Sequence, residues 1–408
     1  MADVVLAFDA ALDRPVPTPE GGPPPVTEAV QRAVAEAFEG AVAAARSRKA
    51  AALVLCGRLL DPRRASPAQA AGLRRTIDAL AAEGCRTVFV ADDPAACRDL
   101  SQMLGEPRGL AFVTPQAALE LDVHGLAVEI ASALAVPPDH PDTTLAGSTA
   151  PLRRRIVVGC DRVGGQALDS DAATGPTLSA FAAAASASSV WSHPGTLLVW
   201  GSRRPNHGVA GIHHLPPLQA RSADEPHAGG CAVVTLLERS DADAPAAAER
   251  RGGWELMPTH RVAWRTLAVE SAAGGDEELA TQAWAALEKA LPQSPATLEL
   301  VRVAVECGTS VARRVRVGEI SGETLARLRQ LYDAKSYRVW CHEVVACPGE
   351  SLAPLGHARS GSRPGTTTSF SSALADIVAD IEQAPPTRMP HEAAREAGWL
   401  ALELIEST

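Results

Sequence analysis

The sequence predicts an α/β protein: a two-layer β-sheet core flanked by helices, then a small α+β module and C-terminal helices. Three features point there. Apolar runs alternate with Ala-rich periodic segments through the first 91 residues. Strand-like runs with few helices between them extend from 154 to 270, and a small polar break, SAAGGDEE at 271–278, precedes a new helix.

VVLAF (4–8) is a short apolar run followed by a polar turn, which predicts a buried strand. The loop RPVPTPEGGPPP leads to a helix over 26–46. AALVLC (51–56) is a second strand. SPAQAAGLRRTIDALAAEG (66–84) is a helix opened by Ser66 and stopped by Gly84, and TVFVA (87–91) is a third strand. Strand, helix, strand, helix, strand implies parallel pairing with helices on the faces.

RRIVVG (154–159), TLLVW (196–200), CAVVTLLER (231–239) and THRVAWRTLAVE (259–270) read as strands, with a helix over 176–189 between the first two. The scarcity of intervening helices predicts a second, more antiparallel sheet packed on the first. A helix at 279–291, strands at 297–308 and 336–347 and a helix at 321–334 make the α+β module. The stretch 348–369, rich in Gly, Pro, Ser and Thr, reads as a linker, and helices are expected at 370–383 and 390–405. The expected units are therefore 1–270, 276–347, the linker 348–369, and the helical segment 370–408.

Lys and Arg number 38 against 48 Asp and Glu, a net charge of −10, which argues against a surface that clings everywhere to nucleic acid. A local basic patch stays open. The 8 cysteines contain no CxxC pair, a pattern that suits reduced, buried thiols in a cytoplasm. No basic n-region with an apolar stretch opens the chain, and no eighteen apolar residues run together, so neither a secretory signal nor an ordinary membrane span is expected. Neither a Walker-type phosphate loop nor the dinucleotide fingerprint is present.

In α/β folds chemistry sits at the C-terminal ends of the strands. The loops there are FDAALDRP (8–15), CGRLLD (56–61), VADDPAA (90–96), VGCDRVGG (158–165) and WGSRRPNHG (200–208). Together with LQARSADEPHAGGCAVVTL (218–236) and MPTHRVAWRTLAVE (257–270), these make residues 4–270 resemble a calcineurin-like metallophosphoesterase, specifically the SbcD-type subunit of DNA-repair exonucleases. The resemblance implies a four-layer αββα core with a small capping module. It also implies two divalent metals, usually manganese, held by Asp-x-His, Gly-Asp-x-x-Asp, Gly-Asn-His-Asp, a lone His and Gly-His-x-His.

Against that pattern, most ligands are replaced. Asp9 and Asp61 keep their places. The first His is Ala11, the metal-bridging Asp is Arg58, and Gly-Asn-His-Asp has become Ala91-Asp92-Asp93-Pro94. The lone His falls at Cys160, and the last pair of His becomes Ser202 and Arg204. A guanidinium stays protonated and offers a metal no lone pair. The expectation is that Arg58, with Arg204, fills the old cavity and pairs with Asp9 and with Asp61, Asp92 or Asp93. No cofactor is then expected, and the chain is an inactive homologue acting through DNA or a partner.

The alternative is an active metal-dependent phosphoesterase or exonuclease. It would hold manganese or another divalent ion on Asp9, Asp92 and Asp93, or at a relocated site using His207, His213 and His214. Neighbouring residues of a strand face opposite sides, which argues against His213 and His214 sharing an ion. Cys160 reads as a small buried hydrophobe, and Asp161 lacks the spacing of a hydrolase triad. RSRK (46–49) and RRR (153–155) read as solvated element ends. Trp191, Trp200, Trp254 and Trp264 read as core. By resemblance, residues 370–405, which include GWLALELI, would dock an SbcC-type ATPase, and the chain would form a homodimer in the cytoplasm, away from any membrane.

Overall fold

The computed structural model describes residues 2–19, 21–91, 93–123, 126–133, 154–161, 178, 181–183, 196–203, 209–223, 225, 229–236, 253–270, 276–290, 296–307, 315, 321–333 and 339–348. The expected linker beyond 348, the helices 370–383 and 390–405, and most of the expected helix 176–189 lie outside them. Two compact units result: Met1–Val163 with Thr174–Trp264 and Pro295–Glu299, and a second that carries the described residues of 265–294 and 300–348. Both are α/β, built on mixed or small sheets.

The first unit begins with β1 (Ala2–Phe8), α1 (Pro24–Ser47), β2 (Ala52–Cys56), α2 (Pro67–Ala82), β3 (Arg86–Val90), α3 (Pro94–Leu104) and β4 (Leu110–Val113). Ser66 accepts from the Gln69 N–H while the Gln69 side chain returns to the Ser66 N–H, so α2 opens with a reciprocal cap. The four strands pair in parallel, in chain order.

β5 (Leu119–Val123), β6 (Leu126–Ser132), β7 (Arg154–Cys160), β8 (Thr196–Gly201) and β9 (Ile212–Leu215) form a second sheet in that order. β10 (Gly230–Leu236) and β11 (Gly253–Pro258) return to the first sheet, which runs β11-β10-β1-β2-β3-β4.

Three expectations are corrected here. The second sheet is parallel from β6 to β9, and only β5 runs antiparallel; the segment between β7 and β8 is long enough for a parallel crossover. The 231–239 strand joins the first sheet, antiparallel to β1. Its reason is burial on both faces: Cys231 and Val233 enter the helix-side core while Ala232, Val234 and Leu236 enter the intersheet core, which only an interior position allows. The 259–270 strand belongs to a third sheet, described below.

Strand alternation assigns every side of the first sheet. Val5, Ala7, Leu53 and Leu55 pack against Ala37 and Ala41 of α1, Leu73 and Ile77 of α2 and Leu100 of α3. Val4, Leu6, Phe8, Val54 and Val88 pack against Val128, Ile130, Ile156, Val158 and Val199 of the second sheet. On the far side of that sheet Val157, Leu198 and Trp200 meet Phe181. A one-residue slip of β1 would exchange Phe8 and Leu6 for Ala7 and Val5 between the sheets, so the register is strongly fixed.

In the second unit β12 (Val262–Glu270), β13 (Leu298–Cys307) and β14 (Val339–Pro348) form a three-stranded sheet beside α4 (Asp276–Ala290) and α5 (Ser321–Asp333). The boundary between units falls inside β12, between Trp264 and Arg265. Leu267, Val301, Val303 and Cys341 of the strands bury Leu279 and Ala283 of α4 and Leu328 of α5. The Arg329 guanidinium lies 4.6 Å from the Trp340 ring centroid. Among the described residues no helix is long and apolar enough to cross a membrane.

Burial pushes the thiols of Cys85 and Cys231 up to about 11 and that of Cys341 up to about 12, so all three stay in the unreactive thiol form. Native protein treated with an aromatic disulfide reagent at pH 8 should leave these three unlabelled and release them only in denaturant. Peptide mapping by mass spectrometry reads the result.

Candidate functional site

The site is built where β1, β2 and β8 end. Past Phe8 the first loop stays zipped to the second: the Asp9 N–H donates to Cys56 O at 2.9 Å, Ala11 N–H to Arg58 O at 2.9 Å, and Leu12 N–H to Leu59 O at 2.9 Å. The turn is tight enough to place Asp9 and Ala11 at φ 54° and 38°, a conformation non-glycine residues rarely adopt. The Phe8 ring fills the space between strand ends. A Cβ on Gly57 would lie 2.8 Å from Phe8 Cε2, and one on Gly201 would lie 2.5 Å from Phe8 Cδ2, so neither position admits a side chain without displacing the ring.

Two arginines converge on Asp9. Arg58 Nε donates to Asp9 Oδ1 at 2.8 Å and its Nη2 to Oδ2 at 3.0 Å, a bidentate fork. Arg203 Nε donates to Oδ2 at 2.6 Å, and its Nη2 contacts the same oxygen. Arg203 Nη1 then reaches Glu225 Oε1 at 3.0 Å, and Glu225 Oε2 accepts from the Arg221 backbone N–H at 2.8 Å. The Arg221 side chain, buried beneath, donates to the carbonyls of Ala10, Ala11 and Arg14 and pins the first loop from below.

The Asp9 side chain is 0% exposed, while those of Arg58 and Arg203 are 19% and 23% exposed. Burial pushes the Asp9 carboxyl upward, and the positive charges of Arg203, Arg221 and Arg14 oppose that push. The donors decide the protonation state. A neutral carboxyl would aim an O–H at a guanidinium, which has no acceptor, and each oxygen already receives an N–H. Asp9 is therefore the ionised partner of two fixed cations. Glu225 is likewise raised by burial and drawn back by Arg203.

Arg58 pairs with Asp9, and among the described residues Asp61 and Asp93 have other partners. Asp61 instead accepts from the Arg63 N–H at 3.0 Å and lies 3.9 Å from Arg14, while its own N–H donates to Asp13. Asp93 caps α3, its Oδ1 accepting from the Ala95 N–H at 2.8 Å. Asp92, Arg204 and His207 lie outside the described residues. The second guanidinium on Asp9 is Arg203, and the strand period explains it: Val199 faces the first sheet and Trp200 faces away, so Gly201 and Arg203 follow Val199. Arg203, Arg221 and Glu225 are the residues the sequence reading missed. Counting by two from Val199 finds the first; the other two lie in 218–236, whose loop conformation no periodicity specifies.

On the opposite side of β8, Asp161 accepts from Trp200 Nε1 at 3.0 Å and from the Ser202 hydroxyl. His214 Nε2 lies 3.2 Å from the Ser202 carbonyl oxygen, not at its hydroxyl, so these three do not align as a nucleophile with its base. His213 stacks on Trp254 with centroids 4.6 Å apart. Cys160 is buried in the intersheet core. Of the basic clusters, Arg46 pairs with Glu83, Arg48 with Glu255 and Arg155 with Glu129.

A two-metal site needs a bridging carboxylate with lone pairs directed at the ions. The described residues do not fit it: position 58 has none to offer, and Asp9 spends both oxygens on guanidiniums. Among the described residues no three His, Cys, Asp or Glu gather as a metal-ligand group. No protein-family model matches the sequence, and no curated protein matches it.

Removing one partner of a buried ion pair strands the others, at about 3–5 kcal/mol. Asp9→Ala should therefore lower unfolding free energy by roughly that amount in urea titrations, and Arg58→Ala by only about 1–3 kcal/mol because Arg203 still serves Asp9. Gly201→Ala should cost about 1–3 kcal/mol through overpacking on Phe8. Combining it with Phe8→Leu should recover part of that loss, as a double-mutant cycle would show.

Proposed function

We propose that this chain is a catalytically inactive relative of the SbcD-type exonuclease subunit, which keeps a metallophosphoesterase-like frame and acts by binding. The observation that carries the reading is the Asp9 carboxylate, fully buried and bonded on both oxygens by Arg58 and Arg203. Fixed guanidinium charge takes the place that dications hold in an active relative. It cannot activate a water, because it neither lowers the pKa of a bound water as a metal does nor accepts its proton. The two stacked mixed sheets, with helices on the outer face of the first, fit the αββα frame, and the small α+β unit fits a capping module.

Binding to DNA, homodimerisation, a cytoplasmic location and docking of an SbcC-type ATPase through 370–405 belong to the same proposal. The test has two parts. Purified chain supplied with manganese should retain no stoichiometric metal and should not degrade linear DNA; bound metal with turnover that Asp9→Ala abolishes would establish an active phosphoesterase instead. Co-purification of partner ATPase should fall when 370–408 is deleted, and equal recovery from both forms would sink the docking assignment.

A further inference from the structure

The first sheet ends on one side at β11, and the backbone there has a defined outer edge. β11 pairs with β10 alone, Cys231 opposite Met257 and Val233 opposite Glu255. Past the strand the Thr259 N–H donates to Gly229 O at 3.2 Å, while the Gly230 N–H donates away from β11, to Pro217 O at 3.1 Å. Backbone groups alternate sides along an antiparallel strand, so Gly253, Glu255 and Met257 bond to β10. Trp254, Leu256 and Pro258 point theirs outward. Among the described residues nothing meets them, and the N–H and C=O of Trp254 and Leu256 with the C=O of Pro258 line an open edge.

The side chains do not guard that edge. Natural edges are blunted by Lys, inward charges or a Pro within the strand, whereas β11 reads GWELMP, with its Pro last. Leu256 is 42% exposed, the one exposed large hydrophobic side chain among the described residues. Trp254 lies on the same side, stacked on His213 and packed against the intersheet core. Glu255 faces the other way and pairs with Arg48, with Met257 beside it against the helix-side core.

A two-fold axis normal to the sheet joins such an edge to its own copy in antiparallel fashion, and side chains set opposite each other must share a face. Only a register centred on a residue satisfies this. Centring on Glu255 opposes two carboxylates, which is unfavourable. Centring on Leu256 sets it against the partner's Leu256, Trp254 against the partner's Pro258 and Glu255 against the partner's Met257. The Leu256 N–H then donates to the partner's Leu256 carbonyl and the Trp254 N–H to the partner's Pro258 carbonyl, each reciprocated. The missing proline N–H leaves only the Trp254 carbonyl to water, so in this register the edge is complementary to itself.

We propose that two copies of this chain pair through β11, antiparallel and centred on Leu256, so that the first sheet continues across the dimer. The proposal rests on the homodimerisation in the reading above, to which it gives a surface, and on no other part of it.

Sedimentation velocity on the full chain should show a concentration-dependent dimer. Leu256→Lys sets two ammonium groups opposite each other at a position already exposed, and should raise the dimer dissociation constant at least about tenfold with an unchanged circular dichroism spectrum. Leu256→Cys should cross-link to its copy under a mild oxidant, because a hydrogen-bonded antiparallel pair holds its Cα atoms about 5.5 Å apart, within disulfide reach; Glu255→Cys should not. A dimer that survives Leu256→Lys, or that cross-links through Glu255→Cys in place of Leu256→Cys, overturns the proposal and leaves homodimerisation standing. A chain that stays monomeric at every concentration overturns both and leaves the edge to an extended segment of a different protein.

Discussion

Everything at the strand ends turns on neutralising one buried carboxylate. Asp9 follows β1 in the first sheet, Arg58 follows β2 beside it, and Arg203 follows β8 in the second sheet. The ion pair therefore closes only when the two sheets are stacked in the observed register. Phe8 beneath it imposes the same condition sterically, because Gly57 and Gly201 approach its ring from both sheets. Arg221 and Glu225, on the connection into β10, tie that connection to the cluster and to the first loop.

The stability of the unit comes from elsewhere. Fully buried aliphatic side chains contribute about 1.5–3 kcal/mol each, and the intersheet core alone includes Leu6, Val54, Ile130, Ile156 and Val199. A buried ion pair returns little net energy, since desolvation consumes most of the Coulombic gain. What the Asp9 cluster contributes is position. Among the described residues, Arg58 and Arg203 together occupy both oxygens of Asp9.

Much of this was legible in the sequence. The first three strands and two helices follow from apolar runs, Ala-rich periodicity and the Ser66 cap, and the expectation of Arg58 on Asp9 comes through the resemblance, which sets both residues in metal-binding loops at the strand ends. Arg203 on Asp9 follows from strand alternation counted from Val199, while Arg204 lies outside the described residues. Strand order was less accessible. β10 reads as one more apolar strand, and only its pairing with Val4 and Val5 across more than two hundred residues puts it inside the first sheet. β5 carries the alternation of a half-buried strand, LELDV with Glu120 and Asp122 exposed, over only five residues, and the four residues of β9 are too few to show a period.

Anomalous diffraction from crystals grown in manganese tests the central claim most directly. The account predicts no anomalous peak at the strand ends, with Arg58 and Arg203 still on Asp9 at hydrogen-bond distance. A manganese peak ligated by Asp9, with the Arg58 guanidinium turned away to solvent, would contradict it.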